Sequence, residues 1–117
     1  MITNIPKSLT ASNLNDWLNS KKEDPIIIDV RESLEIDIAS LPFVDIYIPI
    51  SKVSFDYVSS IISKYLNKKL VILCHRGIRS YNFAQWLIDN ELVMEVWNLE
   101  KGIDGWSIHI DPSISRY

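Results

Sequence analysis

The chain has 117 residues, of which 47% are hydrophobic and 23% are charged. These fractions are typical of a folded globular protein and argue against intrinsic disorder. The length predicts one domain over residues 1–117. The formal net charge of −3 makes the protein acidic, so we expect no nucleic-acid partner. No apolar run approaches the roughly 20 residues of a membrane span, so we expect no membrane partner.

The cysteine content restricts the chemistry. Cys74 is the only cysteine, which rules out an internal disulfide bond. Because only two histidines accompany it, we expect no structural zinc site and no bound metal. Residues 1–7 lack the apolar core of a signal peptide. A free thiol without an export signal predicts a cytoplasmic protein, because the cytosol keeps thiols reduced.

Hydrophobic periodicity predicts helices that alternate with strands. Leu14, Trp17 and Leu18 recur at helical spacing after Thr10, a good helix cap. Residues 26–30 form a β-branched run typical of a strand buried on both faces. In chain order we predict a helix over 11–21, a strand over 26–30, a short irregular helix over 31–40, a strand over 44–49, a helix after Ser54, a strand over 69–74, a helix over 80–89, a strand over 93–99 and a final short segment over 102–106. This alternation predicts an α/β fold with a mostly parallel central sheet flanked by helices.

The predicted strand over 69–74 leads directly into a candidate site. It ends at Cys74, a short polar loop follows, and the next helix is predicted to begin at Ser80. Ligands of parallel sheets bind at the carboxyl ends of the strands. Gly77 allows successive backbone N–H groups to converge on one point, and a helix N-terminus favours a thiolate. The pattern therefore predicts Cys74 as a reactive nucleophile rather than an inert buried cysteine.

Six residues after Cys74 are candidates for binding a small anionic substrate. They are His75, Arg76, Gly77, Ile78, Arg79 and Ser80. Their two arginines make this loop basic on an acidic protein, which favours a small anion over a polyanion. Arg79 lies at the start of the predicted helix and is assigned a substrate-binding role. Arg76 and His75 are equally typical of solvated residues at the tip of a loop.

Residues 74–80, Cys-His-Arg-Gly-Ile-Arg-Ser, resemble the active-site loop of the rhodaneses, the thiosulfate sulfurtransferase family. The likeness extends over nearly the whole chain. Residues 28–32, Ile-Asp-Val-Arg-Glu, followed by Glu35, resemble the first signature of that family. Residues 98–106, Asn-Leu-Glu-Lys-Gly-Ile-Asp-Gly-Trp, resemble its C-terminal signature. Three signatures in the expected order are more specific than any one of them alone.

Two departures from the family pattern leave the shape of the pocket and the identity of the substrate open. Residues 39–44 read Ala-Ser-Leu-Pro-Phe-Val, where the family often has Gly-His-Ile-Pro-Gly-Ala. Lys101 replaces the first glycine of the later glycine pair. Both positions belong to the predicted scaffold, so neither changes the expected fold or the expected thiol chemistry.

The resemblance implies a three-layer rhodanese-like fold and a sulfurtransferase that needs no metal or organic cofactor. The Cys74 thiolate would take a sulfane sulfur from an anionic donor such as thiosulfate and become a persulfide. A thiol, cyanide or a protein acceptor would then remove that sulfur. In such a fold Asp29 and Arg31 end a neighbouring strand, which makes them candidates for bracing the Cys74 loop.

Two other functional classes stay open from the sequence. The first is a cysteine phosphatase or an arsenate reductase. Phosphatases have one residue more between cysteine and arginine than separates Cys74 from Arg79, and arsenate reductases usually require a further thiol. The second is a non-enzymatic docking module or a sulfur carrier with one dedicated partner. An intact cysteine loop argues against docking alone but is compatible with a carrier.

Overall fold

The protein is represented by a computed structural model that describes residues 4–117; residues 1–3, part of the segment that lacks a signal-peptide core, lie outside the described residues. The helices and strands alternate from the start of this range to its last helix. In chain order they are β1 (Lys7–Leu9), α1 (Ala11–Leu18), β2 (Ile26–Asp29), α2 (Ser33–Ile38), β3 (Ile46–Tyr47), α3 (Phe55–Ile62), β4 (Leu70–Leu73), α4 (Ile78–Asp89), β5 (Trp97–Leu99) and α5 (Gly102–His109), with single 3₁₀ turns at Ile50–Lys52 and Ser63–Tyr65.

The five strands described form one parallel sheet in the order β1-β5-β4-β2-β3. Strand β4 lies in the middle, where Ile72 pairs with Ile28 of β2 and with Asn98 of β5. Its four residues are all buried, as expected for a central strand of a parallel sheet. The predicted α/β architecture is confirmed, and the cysteine loop leaves the sheet at its centre.

Each face of the sheet carries its own hydrophobic cluster, which gives three layers. Because side chains alternate along a strand, Ile72 and Cys74 of the β4 segment point to the face covered by α3 and α4. Val71 and Leu73 point to the opposite face, which α1 and α5 cover. Full burial of one such aliphatic side chain contributes about 2 kcal/mol to stability. The alternation therefore places Cys74 on the same face as the helix that follows it.

Side-chain caps define the helix ends that the sequence predicted. The Thr10 hydroxyl accepts a hydrogen bond from the third residue after it, and Ser54 does the same at the start of α3. Helix α1 ends three residues before the predicted position. There the backbone N–H and the side-chain amide of Asn19 both donate to the Asn15 carbonyl, at 3.1 and 2.9 Å. These bonds satisfy the last turn, so the helix stops.

The strands differ most from the predictions. The strand predicted over 93–99 pairs only as β5, because Leu92 and Val93 pack onto the hydrophobic core without joining a ladder. The strand predicted over 44–49 is reduced to β3 at the edge of the sheet. Strand β1 was not predicted, because two of its three residues are exposed and it contains no apolar run. A short edge strand is defined by its pairing with the neighbouring strand, and hydrophobic periodicity does not reveal that pairing.

Two helices begin or end differently from the predictions. Helix α4 begins two residues before the predicted start at Ser80, because Gly77 turns the chain with a φ of 93° and serves as the N-cap. Residues 102–106, predicted as a short segment, are the first part of α5. The earlier start of α4 places Ser80 in its first turn, where the backbone N–H groups have no partner within the helix.

The turn from β5 into α5 packs directly on the backbone after β4. The N–H groups of Ile103 and Asp104 donate to the carbonyls of Cys74 and His75, both at 3.0 Å. Gly102 has a φ of 56°, and a Cβ there would overlap these same two carbonyl oxygens. Only glycine fits this position, so the turn holds the cysteine loop from behind.

Replacement of Gly102 by alanine should therefore destabilise the protein by at least about 2 kcal/mol, through the left-handed backbone and the overlap. The measurement is the free energy of unfolding in urea. Lys101→Ala is the matched control, since Lys101 is an exposed neighbour whose side chain makes no cap. It should change stability by less than about 0.5 kcal/mol. A Gly102→Ala protein as stable as its parent would show that this contact is not tight.

Candidate active site

The loop between β4 and α4 consists of residues 74–77 and bends back at Gly77. The φ of Gly77 is 93°, in the left-handed region that side chains with a Cβ rarely adopt. A Cβ at this position would also overlap the Glu100 carbonyl of the β5–α5 turn. The sequence predicted an inward turn at Gly77, and the backbone makes it.

The bend points backbone N–H groups at the sulfur of Cys74. The Gly77 N–H donates to Sγ at 3.1 Å and the Ser80 N–H at 3.3 Å. The amides of Ile78 and Arg79 lie in the same first helical turn and have no hydrogen-bond acceptor in residues 4–117. Two donors and the positive end of the helix dipole favour negative charge on sulfur. The geometry therefore suits a thiolate and a second anion beside it.

The hydroxyl of Ser80 completes the surroundings of the sulfur. Its Oγ lies 3.2 Å from Cys74 Sγ and donates to Asn98 Oδ1 at 2.6 Å. The Asn98 side-chain amide in turn donates to the Gly77 carbonyl at 3.1 Å. Asn98 was not among the candidate site residues. A polar residue inside an otherwise apolar predicted strand is the signal that could have identified it.

Arg79, predicted to bind substrate, forms a two-pronged ion pair with Glu35 of α2. Its Nη1 and Nη2 lie 2.6 and 2.8 Å from the two carboxylate oxygens. These hydrogen bonds lower the pKa of Glu35 to about 2 and raise the pKa of Arg79. The pair links α2 to the first turn of α4. The guanidinium is thus engaged within the protein, an arrangement that sequence spacing did not predict.

Asp29 and Arg31, the candidates for bracing the loop, form a buried ion pair. Arg31 Nη2 lies 2.8 Å from Asp29 Oδ2, and both side chains are fully buried. Arg31 Nη1 also donates to the hydroxyl of Tyr117 at 3.0 Å and to the backbone carbonyl of Glu35 at 3.3 Å. Neither Asp29 nor Arg31 has a side-chain hydrogen bond to the cysteine loop in residues 4–117. Their link to the site runs through Glu35 and Tyr117.

Tyr117, which the sequence analysis did not select, joins these groups to His75. The two rings are stacked at a centroid distance of 3.9 Å and an angle of 8°. The Tyr117 hydroxyl donates to Glu35 Oε2 at 2.7 Å, and burial raises the pKa of Tyr117 to about 12. Burial and the charge of Arg76 lower the pKa of His75, which favours its neutral form. His75 thus serves as a packing surface in this arrangement.

The outer part of the loop is solvent-exposed. Arg76 is exposed and forms no ion pair within residues 4–117, and Ile78 is 72% exposed. Cys74 itself is only 1% exposed.

In the part of the chain that the structure describes, no three metal-binding side chains are grouped closely enough to hold an ion. Over the same range, no helix has the length and apolarity to cross a membrane.

Comparison with known proteins identifies the family to which this architecture belongs. The sequence profile described as Rhodanese-like domain matches residues 10–109, which include β4, the cysteine loop and the turn behind it. The chain belongs to the rhodanese-like domain family. The rhodanese-like fold and the resemblance recognised from the three signatures are confirmed by this match and by the structural neighbours.

Three relatives illustrate the likeness of this rhodanese-like domain. A protein from Arabidopsis thaliana described as rhodanese-like/PpiC domain-containing protein 12, chloroplastic, is 39% identical over 108 residues, 86% of this chain and 35% of its own length. The adenylyltransferase and sulfurtransferase UBA4 of Debaryomyces hansenii is 27% identical, over 93% of this chain and 25% of its own. The single-domain sulfurtransferase RDL2 of Saccharomyces cerevisiae superposes with a TM-score of 0.69 at 18% identity, over 98% of this chain and 99% of that one.

The chain spans about a third of the Arabidopsis relative and a quarter of the Debaryomyces relative. Both relatives therefore contain large regions that have no counterpart in these 117 residues. The yeast structure, in contrast, is matched from end to end and shows that the rhodanese-like fold occurs at this size.

The ion pair of Glu35 should make stability depend on pH in acid. A carboxylate whose folded pKa is lowered from 4.5 to about 2 stabilises the protein fully above pH 4.5. That stabilisation is lost as the pH falls towards about 2. Glu35→Gln should therefore cost about 1 kcal/mol at pH 7, and this difference should shrink on acidification. Urea unfolding of both proteins at a series of pH values measures it.

Asp37→Asn is the control for this experiment, because Asp37 is exposed on the same helix and forms no ion pair in residues 4–117. Its effect should be small at every pH. A difference between parent and Glu35→Gln that is the same at pH 7 and pH 3 would contradict the assignment of this ion pair.

Proposed function

We propose that this rhodanese-like domain is a sulfurtransferase in which Cys74 receives a sulfane sulfur from an anionic donor such as thiosulfate. The observation that carries the proposal is the position of Cys74 Sγ at the N-terminus of α4, with N–H donors from Gly77 and Ser80 within 3.3 Å. The names of the Debaryomyces and yeast relatives both include sulfurtransferase activity, which supports this class of chemistry.

The reaction proceeds in two half-reactions. The Cys74 thiolate attacks the outer sulfur of thiosulfate, the sulfur–sulfur bond of the donor breaks, and sulfite leaves with the electron pair. The product is a persulfide on Cys74 whose terminal sulfur is an anion. An acceptor nucleophile (a thiolate, cyanide or a cysteine of a partner protein) attacks that terminal sulfur, and the Cys74 thiolate leaves. No metal or organic cofactor takes part.

The charges around the site support different roles for Arg76 and Arg79. Arg79 is neutralised by Glu35, so it fixes the start of α4 and is a weak attractor of the donor. Arg76 is exposed and unpaired in the described residues, so it supplies the attraction. The unpartnered amides of Ile78 and Arg79 then bind the terminal sulfur of the persulfide.

The shape of the site favours sulfur transfer over phosphate-ester hydrolysis. Because Cys74 is only 1% exposed, a substrate must reach it with one slender atom. The outer sulfur of thiosulfate projects from its donor as such an atom, whereas the phosphorus of an ester is surrounded by four oxygens. Only four residues separate Cys74 from Arg79, and this short loop closes a tight ring of N–H groups.

The persulfide itself can be detected. After incubation with thiosulfate and removal of the excess, intact-protein mass spectrometry should show a species heavier by one sulfur atom. Cyanide or a reducing thiol should remove it. Cys74→Ser should keep the parent mass and transfer no sulfur, because a hydroxyl at this position is too weakly acidic to become the nucleophile.

The serine variant must be folded for this comparison, which its unfolding curve in urea establishes. A single-domain sulfurtransferase treated in parallel serves as positive control. Sulfur transfer by a folded Cys74→Ser protein would remove Cys74 as nucleophile. A parent protein that never gains sulfur, while the control does, would favour the docking or phosphatase alternatives, and aryl phosphate hydrolysis would distinguish the two.

The proposed role of Arg76 gives a kinetic prediction. Arg76→Ala should raise the KM for thiosulfate about tenfold and change kcat less, because it removes attraction without disturbing the sulfur ligands. Arg76→Lys should retain part of the affinity, since a point charge does not replace the guanidinium. Lys21→Ala removes the same charge from the loop before β2, at the amino-terminal ends of the strands and so opposite the site, and should leave the KM unchanged. Equal KM values for Arg76→Ala and the parent would place the donor site elsewhere.

A further inference from the structure

The hydrogen-bonding groups around Ser80 allow its hydroxyl proton to point in only one direction. The Asn98 amide nitrogen donates to the Gly77 carbonyl at 3.1 Å, since the opposite orientation would bring two oxygens together. Asn98 Oδ1 therefore faces Ser80 Oγ at 2.6 Å and can only accept. A hydroxyl has one proton, so Ser80 presents a lone pair to Cys74 Sγ at 3.2 Å.

We propose that Asn98 is a positioning residue that holds the hydroxyl proton of Ser80 away from Cys74 and so opposes ionisation of the thiol before a donor binds. This inference rests on the proposed function, in which Cys74 is the nucleophile. Asn98 touches neither the sulfur nor a substrate; it acts through Ser80. Both residues are buried, at 5% and 0% exposure, so water does not compete for these bonds.

Ionisation of Cys74 changes the hydrogen bonds in a defined way. In the thiol form the S–H proton is donated to Ser80 Oγ, while Ser80 donates to Asn98. When that proton leaves to solvent, the Ser80 lone pair faces a negative sulfur. The hydroxyl then rotates and donates to the thiolate, which leaves Asn98 Oδ1 without a donor in a buried site. Loss of this bond opposes formation of the thiolate, whereas the two backbone N–H donors favour it.

The test compares the pH profile of iodoacetamide alkylation in parent and variant proteins. Cys74 is the only thiol, so the signal has one source. The midpoint of the profile reports ionisation, and the plateau at high pH reports access to the sulfur. Asn98→Ala removes the acceptor and frees Ser80 to donate to sulfur, so the midpoint should fall by about one pH unit. If this variant does not fold, Asn98→Leu takes its place, because it offers no acceptor and fills more of the volume.

Asn98→Asp is the matched control. Its ionised carboxylate also loses the donor to Gly77, and one of its oxygens accepts from Ser80 whether the carboxyl is ionised or neutral. Its midpoint should stay at or above the parent value. In a Ser80→Ala background, Asn98→Ala should shift the midpoint by less than about 0.3 pH units, because the residue through which it acts is absent.

Two results would overturn the proposal. Equal downward shifts for Asn98→Ala and Asn98→Asp would show that the lost bond to Gly77 is responsible. A shift of Asn98→Ala that persists without the Ser80 hydroxyl would show that Asn98 acts by another route. Alkylation requires no sulfur donor, so these results are independent of sulfur transfer: a protein that shows the predicted midpoints but gains no persulfide would retain the role of Asn98 and reject the proposed function.

Discussion

Everything at the site depends on how the chain leaves the central strand and enters α4 within four residues. At Gly77 the backbone takes a positive φ against the Glu100 carbonyl, which no other residue can do without overlap. That bend aims the amides of Gly77 and Ser80 at the sulfur. The turn before α5 supports it from behind through the Cys74 and His75 carbonyls. The sulfur environment is therefore built from backbone, with side chains adjusting it.

Charge around this backbone is almost completely balanced. Arg31 is matched by Asp29 and Arg79 by Glu35, and the hydroxyl of Tyr117 bonds to Arg31 and Glu35, one member of each pair. A buried ion pair stabilises little by itself, since both charges lose their hydration. Ion pairs do fix orientation, and here the partly exposed pair of Arg79 and Glu35 fixes α2 against α4. Under the proposed function, the exposed Arg76 then supplies the attraction for an anionic donor.

The sequence predicted those parts of the site that are close along the chain. The strand end, Cys74, the turn at Gly77 and a helix start are local, so periodicity and a glycine suffice to find them. The pairing of Arg79 with Glu35 and the stacking of Tyr117 on His75 join residues that are distant in the chain and adjacent only after folding. The predicted lengths of the edge strands were wrong for the same reason, because pairing with a neighbouring strand defines where an edge strand begins and ends. The role proposed for Asn98 follows from the assignment of hydrogen-bond donors and acceptors, which requires atomic positions.

The order of these contacts along the chain has a consequence for biosynthesis. A chain that has left the ribosome only as far as α4 already contains Cys74, Gly77 and Ser80. It lacks Asn98, the Gly102 turn and Tyr117, which bond to or pack against the loop. Parallel strand pairing adds the last contacts late, because it closes long stretches of chain. The sulfur thus acquires its native surroundings only after the segment that follows α4 has folded, so we expect the chemical reactivity of the thiol to change as that segment folds.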